Sequence, residues 1–150
     1  SKLLFNEPKM ISGINHITFA VKDLTKSITF YQKILGCNLI ATWRDGAHLL
    51  AGDLWICLSV DNHAMNAESK HYSHIAFSVI PDHFNQLKSC LLENNIPTWK
   101  ENISEGESLY ILDPDFHKLE IHYSSLSNRL TAMRDKPYQS QLIFKDIDVE

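Results

Sequence analysis

Cysteine is scarce in this chain of 150 residues, with only Cys37, Cys57 and Cys90. An odd, widely spaced set of that kind does not make a disulfide framework and fits reduced thiols in a cytosolic protein. Long apolar runs are absent too. Nothing approaches the roughly 20 residues that span a bilayer, and Leu3-Leu4-Phe5 is too short for a signal-peptide core. A cytoplasmic protein is therefore expected. Lysine and arginine form no cluster and the formal net charge is -4, which argues against a nucleic-acid or membrane-surface role and for a small-molecule partner. What the chain does have is apolar residues, at 44%. That content suits one compact domain or two small modules sharing a core, and excludes a large multidomain machine.

A repeat organises the chain. His16-Ile17-Thr18-Phe19-Ala20-Val21 returns as His74-Ile75-Ala76-Phe77-Ser78-Val79, and a repeat on this scale sets the architecture. In the first copy, alternation puts Ile17, Phe19 and Val21 on one strand face and His16, Thr18 and Ala20 on the other. Asp23 is placed to cap a helix from about Leu24 to Leu35, ended by Gly36. Strand-like pieces follow at Asn38–Trp43, Ala47–Ala51 and Leu54–Ser59, separated by the turns Arg44-Asp45-Gly46 and Gly52-Asp53. The second copy has a helix from Pro81 to about Glu93 and strands near Thr98–Lys100, Ser108–Leu112 and Leu119–Tyr123. Each half is strand, helix, three strands. The expected fold is α+β, made of two βαβββ modules whose sheets pair around a common concavity. The expected boundaries are an N-terminal arm at 1–9, a first module at 10–60, a linker or loop at 61–72, a second module at 73–124, and a C-terminal helix and tail at 125–150. In that tail Leu126–Met133 is helical, Pro137 is a breaker, and Leu142-Ile143-Phe144 is placed either as an edge strand or against a partner.

The chemistry gathers at matched positions. His16 opens the first module, His74 opens the second, and Glu120 lies on the last strand, where Lys118, Glu120 and His122 share a face. A carboxylate on a mostly apolar ladder needs a partner. Two imidazoles and a carboxylate form a facial triad that leaves coordination positions open. One histidine on a strand is usually a hydrogen-bonded structural residue; the repeat is what favours metal ligation here. His117 and His122 compete as ligands, while His48, His63, His71 and His83 read as solvated. A second polar group comprises Lys100, Asn102, Ser104, Glu105, Gly106, Glu107, Ser108 and Tyr110, with Arg129 downstream. It suits a phosphate-like anion, a monovalent cation, or simply a solvated loop.

These residues resemble a known family. The repeat and triad are similar to the vicinal oxygen chelate superfamily, and Met10 to about Tyr138 is similar to the FosA-type fosfomycin resistance proteins, which are manganese-dependent glutathione transferases. The segments that carry the resemblance are Gly13-Ile14-Asn15-His16-Ile17-Thr18, Gly52 to Ser59, Trp99-Lys100, Asn102 to Tyr110, Leu112-Asp113-Pro114-Asp115 and His117-Lys118-Leu119-Glu120. The Ser104-Glu105-Gly106-Glu107-Ser108 loop is the most specific of them, because the superfamily at large shares the triad but not that loop.

The resemblance implies that His16, His74 and Glu120 hold Mn(II), with His16 supplied by one chain of a homodimer and the other two by its partner. It implies that Tyr72, Lys100, Ser104, Tyr110 and Arg129 contact the phosphonate of fosfomycin. Thr18 would hydrogen-bond the epoxide oxygen and Trp55 would pack against the substrate. Asn102, Ser104, Glu105, Gly106 and Ser108 match the family's K+ site. Glutathione is the implied co-substrate, adding its thiol to the epoxide. Two positions depart from the pattern. Phe116 stands where the family's turn has glycine, and His48 stands where an aromatic residue would line the thiol approach. Alternatives are another metalloenzyme of the superfamily (an epoxide hydrolase, a transferase using another thiol, or a dioxygenase) and a non-catalytic antibiotic-binding protein.

Overall fold

The computed structural model describes residues 10–101 and 107–147. In the first module β1 (His16–Val21) leads into helix α1 (Leu24–Ile28) and a π-helical stretch at Thr29–Ile34, then β2 (Asn38–Trp43), β3 (Gly46–Ala51) and β4 (Leu54–Val60). The second repeats the plan with β5 (Ile75–Ser78), α2 (Pro81–Glu93), β6 (Thr98–Lys100), β7 (Ser108–Leu112) and β8 (Lys118–His122), and α3 (Leu126–Asp135) follows. The strand orders are β1-β4-β3-β2 and β5-β8-β7-β6. In both sheets the first strand lies parallel to the last and the remaining pairs are antiparallel. This is the expected pair of βαβββ modules.

Local chemistry accounts for the boundaries. Asp23 caps α1 by accepting from the Lys26 amide, Pro81 occupies the first turn of α2, and Ser125 caps α3 by accepting from the Asn128 amide. The helix expected to run unbroken to Leu35 changes character after Ile28, and the Leu35 amide bonds back to the Phe30 carbonyl. That five-residue bond widens the turn, and the consecutive Phe30 and Tyr31 are both buried there. At the β2–β3 turn, a Cβ on Gly46 would lie 2.4 Å from the Trp43 ring and 2.7 Å from the Leu58 carbonyl. Only glycine lets Trp43 lie over the turn.

The modules share one apolar core. Phe19, Val21, Leu49, Ile56 and Leu58 from the first sheet cluster with Ile111, Leu119 and Ile121 from the second, and Phe30, Tyr31 and Leu91 join from the helices. Each large side chain buried there stabilises the fold by about 1.5–3 kcal/mol. The modules of one chain therefore meet through their apolar faces, and their polar faces carry two separate side-chain clusters.

A polar latch joins the modules at the turn before β8. Asp113 Oδ1 accepts from the Asp115 and His117 amides, both at 2.9 Å, and its Oδ2 accepts from the Tyr31 hydroxyl at 2.6 Å. Asp115 accepts from the Lys22 amide at 3.0 Å and the Ser27 hydroxyl at 3.3 Å. Burial lifts the Tyr31 phenol well above its usual 10.0, with the Asp113 charge adding to it, and burial likewise raises the Asp113 carboxyl above 3.8. Phe116 closes this turn at φ 67°, a left-handed conformation that costs a non-glycine residue roughly 1–2 kcal/mol. Its half-buried ring lines a small cavity with Lys22, Lys26, Met65 and Asn66.

Past α3, Leu142–Phe144 forms no strand, and Leu142 and Phe144 are exposed. The arm at 1–9 lies outside the described residues.

Candidate active site

Glu120 sits at the centre of the polar face of the second sheet, in register with Tyr110 on β7 and Ala76 on β5, while Tyr110 pairs with Lys100 on β6. His74 lies one residue before β5 rather than on it. Its Nε2 is nevertheless 3.0 Å from Glu120 Oε1.

The hydrogen bonds around this pair decide what it can do. His74 Nδ1 lies 2.8 Å from the Tyr72 carbonyl, and a carbonyl only accepts, so Nδ1 carries the proton. In the neutral ring Nε2 then presents its lone pair to a carboxylate oxygen that also has only lone pairs to offer. Two facing acceptors need a cation between them, either a proton or a metal ion. The other carboxylate oxygen is already used, since Oε2 accepts from the Ser108 hydroxyl at 2.7 Å. An imidazole whose second nitrogen is anchored, beside a carboxylate whose second oxygen is anchored, is the usual outer-shell arrangement of a metal site. This donor set fits a divalent ion.

Beside the pair lies a cationic, aromatic patch. Lys100 Nζ donates to the Tyr72 hydroxyl at 2.5 Å and sits 4.8 Å from the ring centroids of both Tyr72 and Tyr110. The hydrogen bond to Tyr72 is the chief cause holding the Lys100 ammonium above its usual 10.5, so a full positive charge faces solvent here at neutral pH. Trp99 lies against Tyr72, His74 and Tyr110 and donates its indole N–H to the Leu119 carbonyl at 3.0 Å. Such a surface suits a small anion placed next to the His74–Glu120 pair.

The first sheet carries the other cluster. His16 is exposed, its Nδ1 2.7 Å from Asn15 Oδ1, and its ring stacks on Trp55 with centroids 4.3 Å apart. As in His74, Nδ1 is anchored, and among the described residues His16 Nε2 has no hydrogen-bond partner. Thr18 lies two residues along the same face, in register with Cys57, which pairs with His48. His48 is not simply solvated: its Nδ1 accepts from the Trp55 indole N–H at 3.0 Å and its ring lies against Trp43. An indole N–H is a donor only, so this bond sets the His48 tautomer.

Within one chain, then, His74, Glu120, Tyr72, Lys100, Tyr110 and Ser108 come together, and His16, Thr18 and Trp55 form a separate group. Among the described residues no three His, Cys, Asp or Glu side chains are grouped to hold a metal ion. Arg129 lies half-buried on α3. Asn102, Ser104, Glu105 and Gly106 lie outside the described residues. The role of Ser108 as the partner of Glu120 was missed in the sequence, although the two residues face the same side by alternation, and Trp99 was missed as the floor of the anion patch.

Two repeated βαβββ modules with chemistry on their polar faces define a class. The sequence pattern of the Glyoxalase/Bleomycin resistance protein/Dioxygenase superfamily matches residues 13–121, and the chain belongs to that superfamily. Its relatives are narrower than the class. The chain is 45% identical to glutathione transferase FosA of Serratia marcescens, over 91% of this chain and 99% of the relative. It is 35% identical to metallothiol transferase FosB of Staphylococcus haemolyticus, over 87% of this chain and 98% of the relative. The fosfomycin resistance protein FosX of Listeria monocytogenes, solved with Mn(II) and a sulfate ion, superposes with a TM-score of 0.73 at 31% identity, covering 82% of this chain and 98% of that one. No helix among the described residues is long and apolar enough to cross a membrane.

Proposed function

We propose that this chain is a metal-dependent glutathione transferase of the cytoplasm that opens the epoxide of fosfomycin by thiol addition. The observation that carries the reading is the pair of facing acceptors, His74 Nε2 and Glu120 Oε1 at 3.0 Å, beside the Lys100 ammonium and its tyrosines. The higher identity to a glutathione transferase than to FosX favours a thiol over water as nucleophile.

His74 and Glu120 of one chain and His16 of a second copy would hold Mn(II). The open Nε2 of His16, on a face where Trp43 and Trp55 are exposed, supports this sharing across a homodimer, as do the exposed Met10, Ile11 and Ile14 just before β1. When bound, the metal supplies a Lewis acid for oxygen atoms that gain negative charge. The chain's own residues do the rest. Lys100, Tyr110, Tyr72, Ser104 and Arg129 bind the phosphonate and offset a charge that would repel an incoming thiolate. Asn102, Ser104, Glu105, Gly106 and Ser108 take K+. Trp55 packs on the small substrate and fixes its orientation. The thiolate sulfur attacks an epoxide carbon; a C–S bond forms as the C–O bond breaks, and the released alkoxide takes up a proton. The Thr18 hydroxyl, on the same face as His16, donates a hydrogen bond to that oxygen.

Incubation of purified protein with Mn(II), K+ and fosfomycin, followed by mass spectrometry, tests the reading. A glutathione adduct that forms only when glutathione is present is the expected result. Conversion to a diol with water alone, an adduct only with another thiol, or tight binding without product would overturn it.

A further inference from the structure

His117 and His122 compete in the sequence as ligands near Glu120, and the structure separates them. His117 Nε2 donates to the Ala20 carbonyl at 2.9 Å and its ring packs on Phe19, so it belongs to the seam between the modules. His122 lies on the polar face, and its Nδ1 approaches Glu120 from the side opposite to His74, at 3.3 Å from Oε2. It is also 2.5 Å from the Ser108 hydroxyl oxygen.

The protons in this trio can be counted. Ser108 has one hydroxyl proton and gives it to Glu120 Oε2 at 2.7 Å, where a carboxylate can only accept. The lone pairs of the same hydroxyl oxygen then face His122 Nδ1, so that nitrogen must be the donor. His122 N–H to Ser108 oxygen, and Ser108 O–H to Glu120 Oε2, form a directional chain that terminates on the carboxylate. Ser108 is 4% exposed and Glu120 9% exposed, so water does not readily take over either bond. Strand β7 contributes Ser108 and β8 contributes both Glu120 and His122: Ser108 is in register with His122, and Tyr110 with Glu120. The chain therefore rests on the sheet itself.

We propose that His122 is a positioning residue: through the Ser108 hydroxyl it pins the Oε2 edge of Glu120, so that Oε1 stays turned towards His74 Nε2 and ready for a divalent cation. His122 is on this view a support of the site and not one of its ligands. The inference rests on the metal reading given above for His74 and Glu120. Outer-shell partners of this kind are typically worth roughly 10–100-fold in metal affinity.

The test is Mn(II) titration of the full chain in the presence of K+, followed by the electron paramagnetic resonance signal of free Mn(II). Three variants are compared, in this assay and again without K+: His122→Leu, His122→Asn, whose amide N–H can replace the Nδ1 donor, and Ser108→Ala, which removes the relay with little change in volume and also one proposed K+ contact, so that a loss persisting without K+ is the one that counts for the relay. Thermal melts establish that each is folded, and Ser108→Ala keeps the test open if His122→Leu does not fold. The expected result is a loss of roughly 10–100-fold in Mn(II) affinity for His122→Leu and for Ser108→Ala, substantial recovery in His122→Asn, and no further loss when His122→Leu and Ser108→Ala are combined. Parent-like affinity in both His122→Leu and Ser108→Ala overturns the proposal alone, as does equal loss in His122→Asn and His122→Leu. Failure of the unsubstituted protein to bind Mn(II) overturns the metal reading and this proposal with it.

Discussion

Replacing Tyr31 by phenylalanine removes one oxygen from the latch that holds the two modules together. The phenol donates to Asp113 Oδ2 at 2.6 Å, with both residues buried. Phenylalanine keeps the ring contacts with Phe19 and Phe30, so almost no cavity term arises. The cost is that of a buried carboxyl oxygen left without its donor, about 1–3 kcal/mol and towards the upper end for a charged acceptor. For a chain of this size that lowers the melting temperature by about 2–4 °C per kcal/mol. Urea denaturation followed by tryptophan fluorescence measures it, with a lower midpoint at unchanged slope expected.

The pH dependence supplies a second, independent sign. Tyr31 has its folded pKa raised well above 10.0, by burial first and by Asp113 second. A group raised in the folded state contributes stability that is fully present below its unfolded pKa and is lost as the pH rises through its folded value. The parent should therefore weaken steeply above pH 10, and Tyr31→Phe should weaken less. Some slope will survive, because burial raises Cys37 from 9.0 to about 11 and its stabilisation is lost over that window. At the acid side, Asp113 is raised above 3.8 in the parent and rises further without its donor. The deficit of Tyr31→Phe should thus narrow as the pH falls towards 3.8. A variant within about 0.5 kcal/mol of the parent at pH 7, with an unchanged alkaline limb, would refute the latch, since surface-like substitutions fall in that range.

Three further outcomes follow from the site and the turn. His74→Ala removes one of the two facing acceptors, and both Mn(II) binding, by calorimetry, and adduct formation should disappear; retained turnover would sink the ligand assignment. Lys100→Met keeps much of the stem that lies over Tyr72 and Tyr110 but removes the charge, and a lost charged hydrogen bond of about 1.5–3 kcal/mol predicts roughly a 10- to 150-fold fall in kcat/KM for fosfomycin. At Phe116, whose φ is 67°, glycine should be tolerated better than valine by about 1 kcal/mol in urea denaturation; equal stability of the two variants would mean that the turn relaxes to negative φ.

Periodicity along the chain was enough to read the architecture. Alternation around Ile17-Thr18-Phe19 and again around Ile75-Ala76-Phe77, with helix signals at Asp23 and Pro81, determines two βαβββ units, because strand faces and helix caps are local properties of consecutive residues. The same alternation put His16 and Glu120 on polar faces and nominated His74 beside them, whereas the pairing of Lys100 with Tyr110 depends on strand register. The π-helical turn at Thr29–Ile34 was not legible, since no local pattern distinguishes it from the α-helix expected there. Nor could the sequence say which faces the modules share. That was decided by packing, which joined the apolar faces into one core and left His16 with Trp55 on a surface apart from His74 and Glu120. Phe116 adopts the positive φ that the family resemblance would assign to a glycine, in a turn that Asp113 and Asp115 bond to the first module at Tyr31 and Lys22. Least legible of all was the choice between His117 and His122. Only four residues separate them, yet one is tied to the module seam by the Ala20 carbonyl and the other to Glu120 through Ser108. Which hydrogen-bond partner a histidine finds depends on backbone groups brought to it from elsewhere in the chain, and those exist only once the sheets have formed.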